Sequence, residues 1–165
     1  MGRPPPVEVS VTGETTARRG TAAPTAVMAE GEAAGDRPVQ DQVTIRMPAD
    51  GAYLSVLRTA TAGLAARLDF TLDEIEDLRI AVDEACGMLL AQAAPGADLE
   101  CDFTLGEDRM SIAVSTVASE PRPPARDTFA WRVLAALAGS VDAWVGPGER
   151  VTVMLRKIRE SSRPG

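Results

Sequence analysis

No histidine occurs in the 165 residues. The commonest general base and the commonest zinc ligand are both missing, so histidine-based triads, histidine-ligated metals and phosphohistidine chemistry on this chain drop out together. Cysteine is nearly as scarce. Cys86 and Cys101 are too few for a disulfide framework and lack the C-x-x-C spacing of a metal or redox site. They read as separate, buried, reduced thiols, with a redox pair as the alternative. Aromatic residues make up only 4 % of the chain, so the core must be aliphatic and alanine-rich, with Trp131 and Trp144 expected as anchors within it. No apolar run approaches the ~18 residues of a membrane span, and "MGRPPPVEVS" lacks the apolar stretch of a signal peptide. These absences point to a cytoplasmic protein with no membrane contact.

What is present suits one soluble domain with length to spare: 45 % hydrophobic and 25 % charged residues. The net charge is −7, and its distribution is uneven. Between residues 69 and 84 stand Asp69, Asp73, Glu74, Glu76, Asp77, Asp83 and Glu84 against the single cation Arg79, a local charge of −6. Such a surface repels nucleic acid and steers a basic protein toward it, with Asp73, Glu76 and Asp77 as candidate partner-binding residues. A plain solvated helix face is the other reading.

Residues 1–40, rich in Pro, Gly, Ala and Thr without a sustained apolar period, read as a disordered tail, and 41–160 as the folded domain. Part of the tail reads either as vector-derived or as lying upstream of a start at Met28. In "QVTIRM", Val43, Ile45 and Met47 alternate with polar residues as in a half-buried strand. Leu54, Leu57, Thr61, Leu64 and Leu68 follow helical spacing, which predicts a helix over 52–68. Thr71 with Glu74 three places on is a capping box, opening a second helix from Leu72 to about Ala94, where Pro95-Gly96 ends it. "LECDFTL" and "MSIAVSTV" read as a hairpin around "GEDR". The stiff loop "ASEPRPPARD" leads to a helix over Phe129–Ala138, and "VDAWV" and "RVTVML" close the chain as a second hairpin. "LRKIRESSR" reads as a solvated basic end. Helices that each bury one stripe against a mixed, mostly antiparallel sheet form a two-layer α/β sandwich with the helices on one face.

This order, with the strings "DLRIAVDEACGMLLAQA" and "WRVLAALAGSVDAWVGPGERVTVML", resembles the GHKL (Bergerat-type) ATPase fold. Within it, residues 41–158 are similar to anti-sigma-factor serine kinases of the RsbW type. The resemblance implies that Glu84 stands where the family has its catalytic base. Met88 falls where an asparagine would hold Mg²⁺, and a soft thioether cannot replace a hard oxygen ligand there. Thr116 and Ala118 occupy the aspartate and first glycine of the adenine-binding motif. Thr128 and Ala130 stand where glycines would wrap the phosphates, a role that β-carbons obstruct.

On the helical wheel, with Ile75 at zero and about 100° per residue, Leu78, Val82, Ala85, Cys86 and Leu89 lie within about 80° and Glu84 about 180° away, so Glu84 is off the core stripe, facing a pocket wall or solvent. Asp83 reads as the wet side of the same helix. The resemblance with these departures implies a pseudokinase. It would be a homodimeric anti-sigma factor sequestering an alternative, stress-type sigma factor, countered by an anti-anti-sigma protein, with neither ATP nor Mg²⁺ as a working cofactor. The alternatives are an ATP- and Mg²⁺-dependent serine/threonine kinase of its antagonist, and a dimerisation module with no sigma partner.

Overall fold

The computed structural model describes residues 7–12 and 40–161. The elements run β1 (Glu8–Thr12), β2 (Asp41–Pro48), α1 (Leu54–Arg67), α2 (Leu72–Leu90), β3 (Asp98–Leu105), β4 (Arg109–Val117), α3 (Phe129–Ala138), β5 (Ser140–Gly146) and β6 (Arg150–Ile158). They form one six-stranded sheet, ordered β1-β2-β3-β4-β6-β5. Every pairing among the described strands is antiparallel, in keeping with the mostly antiparallel sheet expected. The architecture is the GHKL-type sandwich that the strings implied.

Period-2 patterning sets which face is covered. Leu99, Cys101, Phe103 and Leu105 of β3 lie in register with Thr116, Val114, Ile112 and Met110 of β4, and all are buried beneath the helices. The intervening residues form a polar outer face, tied by Arg46 to Glu100 (2.7 Å) and Thr44 to Asp102 (2.6 Å). α2 lies centrally between α1 and α3 and packs on β4 and β6. Its stripe of Leu78, Val82, Ala85, Cys86 and Leu89 is fully buried. Each large aliphatic among these contributes about 1.5–3 kcal/mol by leaving water.

Three expectations are corrected. The tail assigned to 1–40 contains β1, whose Val9 and Val11 pair with Ile45 and Val43. Alternating valines made this strand legible, but it is only five residues long and stands apart in sequence from the rest of the sheet. The remainder of that segment lies outside the described residues, as does any start at Met28. The second helix stops at Leu90 rather than near Ala94. There the Ala94 N–H bonds the carbonyl of Val117 (2.9 Å) and Ala93 bridges Ala118, drawing the chain out of the helix ahead of Pro95, which itself disfavours helix at Ala94. Trp131 is buried as expected, under the Arg126 guanidinium (4.9 Å to the ring centre), but Trp144 is 41 % exposed. Its register opposite Thr152 puts it on the helix-free face.

The capping box is present as read. Thr71 Oγ1 accepts from Glu74 N (3.2 Å), and Glu74 Oε2 accepts from Thr71 N (2.7 Å). Its other oxygen accepts from Glu160 N (2.7 Å), so one buried carboxylate joins the start of α2 to the segment just beyond β6. Burial pushes the Glu74 carboxyl upward. The backbone N–H groups of Glu160 and Thr71, the Thr71 hydroxyl and the Lys157 charge outweigh it, leaving the group below its ordinary value.

A depressed carboxylate stabilises the fold above its unfolded pKa, and that contribution disappears as pH falls through the folded value. Glu74→Gln is expected to cost about 1–3 kcal/mol at pH 7. Urea unfolding should show the gap from wild type narrowing below about pH 4. An unchanged gap at low pH would contradict this assignment.

Candidate functional site

The side of α2 away from its core stripe carries Glu84 and Met88 one turn apart, and Ala91 and Gln92 follow in the turn that ends the helix. The α2–β3 connection is stitched to the end of β4 by the Ala94–Val117 and Ala93–Ala118 pairings, and the chain then leaves as the loop Ser119–Asp127. Helix end and loop enclose a cleft of about 530 Å³, walled by Met88, Ala91, Gln92 and Ala93 on one side and Glu120, Arg122 and Pro123 on the other. Lys157 Nζ reaches both the Leu137 carbonyl (3.0 Å) and Asp77 (3.6 Å), which brings the C-terminus of α3 to the start of α2. The N-terminus of α3 accordingly lies toward the cleft end.

Glu84 is half-buried, one turn before Met88 on the same face. Its carboxylate makes no hydrogen bond or ion pair with the described residues. Met88, also half-buried, offers sulfur and no hard oxygen. Among the described residues no group of three or more acids and cysteines is arranged to hold a metal ion.

Thr116 points inward and is fully buried. Its hydroxyl donates to the Asp98 carbonyl (2.8 Å), a bond internal to the sheet. Ala118 is also fully buried, its N–H bonded to Glu149 O (3.0 Å). Thr128 caps α3: its Oγ1 accepts from Trp131 N (3.2 Å) and donates to Ala125 O (3.1 Å). Of the positions singled out by sequence, Glu84 and Met88 share one helix face, Met88 lines the cleft, and Thr116 and Ala118 belong to the core beside it.

The acidic segment is largely neutralised from within. Glu76 pairs with Arg79 (2.9 Å), Asp77 with Lys157, and Asp69 with Arg159 (3.9 Å). Of the three candidate partner-binding acids, only Asp73 is exposed and has no ion pair among the described residues. Asp83, expected on the wet side, instead takes the Arg58 Nε between its two oxygens (2.8 and 2.7 Å) and ties α1 to α2. Arg58 had no distinguishing sequence signal, because the pair is 25 residues apart. Gln92 was also missed. Its position four residues beyond Met88, facing a proline-rich loop, was the available clue.

Both cysteines are buried and free. Burial, with the neighbouring Asp83 charge, pushes the Cys86 thiol up to about 12, and burial drives Cys101 well above its ordinary value. Neither is a nucleophile near neutral pH.

With this geometry in place, the similarity to known proteins can be weighed. No protein-family model matches the chain. It is 35 % identical over 78 residues to the serine-protein kinase RsbW of Bacillus subtilis, covering 46 % of this chain and 49 % of that protein. It is 38 % identical over 76 residues to the same-named protein of Halalkalibacterium halodurans, covering 46 % and 47 %. The anti-sigma-F factor RsbW of Mycobacterium tuberculosis is 31 % identical over 115 residues, 70 % of this chain and 66 % of the relative. The chain belongs to the RsbW family. It spans about half the length of the Bacillus-type RsbW relatives it matches.

Putting a carboxylate at Thr116 would not be a simple exchange. Thr116→Asp would face the Asp98 carbonyl with no donor, and leaving such a group buried costs about 1–3 kcal/mol or more. Thermal unfolding should therefore show a clear destabilisation. A variant as stable as wild type would mean that the Thr116–Asp98 bond is not the constraint described.

Proposed function

We propose that this chain is an anti-sigma factor that sequesters an alternative, stress-type sigma factor by surface contact, without ATP turnover, and is countered by an anti-anti-sigma protein. The observation that carries the reading is the commitment of Thr116: the side chain at the adenine-motif position is buried and spends its hydroxyl on the sheet. Met88 supports it, since Mg²⁺ requires hard oxygen ligands in near-octahedral geometry. Buried Ala118 and the capping role of Thr128 add to the case that this donor set does not suit Mg·ATP. The mycobacterial relative is named an anti-sigma-F factor, which supports the partner class. On this reading the protein acts in the cytoplasm through protein contacts and does not itself bind nucleic acid.

A homodimer belongs to the same proposal. β1 is an edge strand whose Val9 (58 % exposed) and Val11 (67 % exposed) face the helix side. Beside Val9 lies an apolar cleft of about 620 Å³, lined by Val43, Ile45, Val56 and Leu64. Exposed edges with apolar faces demand cover, and a second copy supplies it. Sedimentation should give a dimer for wild type and a monomer for Val9→Glu/Val11→Glu. A wild-type monomer would remove the dimer from the proposal.

One observation favours a second reading, an ATP-dependent serine/threonine kinase of the antagonist protein. Glu84 stands at the family's base position with no partner among the described residues, and the Bacillus relatives are named serine-protein kinases. Pull-down of the host's alternative sigma factors in nucleotide-free buffer tests the first reading, with retention of at least one expected and retention of none contradicting it. Transfer of labelled phosphate to the antagonist, lost in Glu84→Gln, would establish the second.

A further inference from the structure

The segment joining β4 to α3 reads Ser119-Glu120-Pro121-Arg122-Pro123-Pro124-Ala125. Proline has no N–H, so from Pro121 to Pro124 the backbone offers a single donor, that of Arg122. A residue preceding proline is held to extended conformations. Glu120, Arg122 and Pro123 all precede one, so the segment is a stiff extended strap before any tertiary contact forms. An extended residue directs its N–H and C=O to the same side, and a primary carboxamide presents the complementary acceptor and donor.

Gln92 makes both bonds. Its Oε1 accepts from Arg122 N (3.1 Å) and its Nε2 donates to Arg122 O (3.0 Å). The anchor is itself fixed: Gln92 N bonds Leu89 O (3.1 Å), and Ala94 two residues on is stitched to Val117. Farther along, Arg126 bonds Asp142 (2.7 Å) and lies over Trp131. The strap is thus tied through Arg122 at Gln92 and at its far end through Thr128 and the neighbouring Arg126, and Gln92 is the tie that closes it against α2 beside Met88.

We propose that Gln92 is a latch: a positioning residue that holds the Ser119–Ala125 strap in place as one wall of the cleft with no ligand between strap and helix. The inference rests on the nucleotide-independent reading above. In an open cleft a bound ligand orders the flanking loop; here a side-chain amide does so, and the cleft wall is preformed.

Amide hydrogen exchange followed by NMR in the full chain tests the latch, with Arg122 as the reporter. Two neutral hydrogen bonds together shift local opening by roughly ten- to thirtyfold. Gln92→Ala is expected to accelerate Arg122 exchange at least tenfold and to speed tryptic cleavage after Arg126. Gln92→Glu keeps the acceptor and loses the donor, so its rate should fall between the two. Amides of β4 and the buried turns of α2 should be unaffected in both variants. Equal Arg122 rates in wild type and Gln92→Ala would overturn the proposal, as would acceleration spread evenly over β4 and α2, which would make Gln92 a general structural residue. Neither partner nor nucleotide enters the measurement, so its failure is distinct from a failure of the sigma-factor pull-down.

Discussion

The burial of one stripe of α2 against an antiparallel sheet is the constraint on which the rest of the molecule depends. Leu78, Val82, Ala85, Cys86 and Leu89 must face the strands, and helical geometry then turns Glu84 and Met88 away from that stripe, ahead of the turn that carries Gln92. The cleft follows from that division rather than from the loop that closes it. Glu74 fixes the helix start to the segment just beyond β6, and the Ala93–Ala118 bridge fixes where the helix gives way. Between these two ties the register of the functional face is set by packing.

Charge within this frame serves the fold more than the surface. The acidic run at 69–84 looks like a docking patch when it is read as a line of letters. In three dimensions most of its carboxylates meet Arg58, Arg79, Lys157, Arg159 or backbone N–H groups. Exposed pairs of this kind contribute little to stability, but they weaken the local field of the segment. Asp73 and Glu84 are the carboxylates of the run that make neither an ion pair nor a hydrogen bond with the described residues.

Most of the architecture was legible because its signals are local. Period-2 alternation marked β2, β3 and β4, the Thr71–Glu74 box marked the start of α2, and Gly and Pro marked the turns. What escaped depends on partners distant in sequence. The end of α2 is decided by Val117 and Ala118, the orientation of Asp83 by Arg58, and the exposure of Trp144 by its register with β6. The site divides the same way. The resemblance singled out Glu84, Met88, Thr116 and Ala118 as candidates, but only the fold shows that Thr116 is spent on Asp98 and that Gln92 grips Arg122.

The proposal that this chain works without nucleotide rests on Thr116 and Ala118 being committed to the protein's own structure. Titrating isotopically labelled protein with Mg·ATP into the millimolar range, and following the backbone amides of Met88, Thr116 and Ala118, tests it most directly. The account predicts no saturable shifts at these residues. Saturable shifts clustered around the cleft would contradict it.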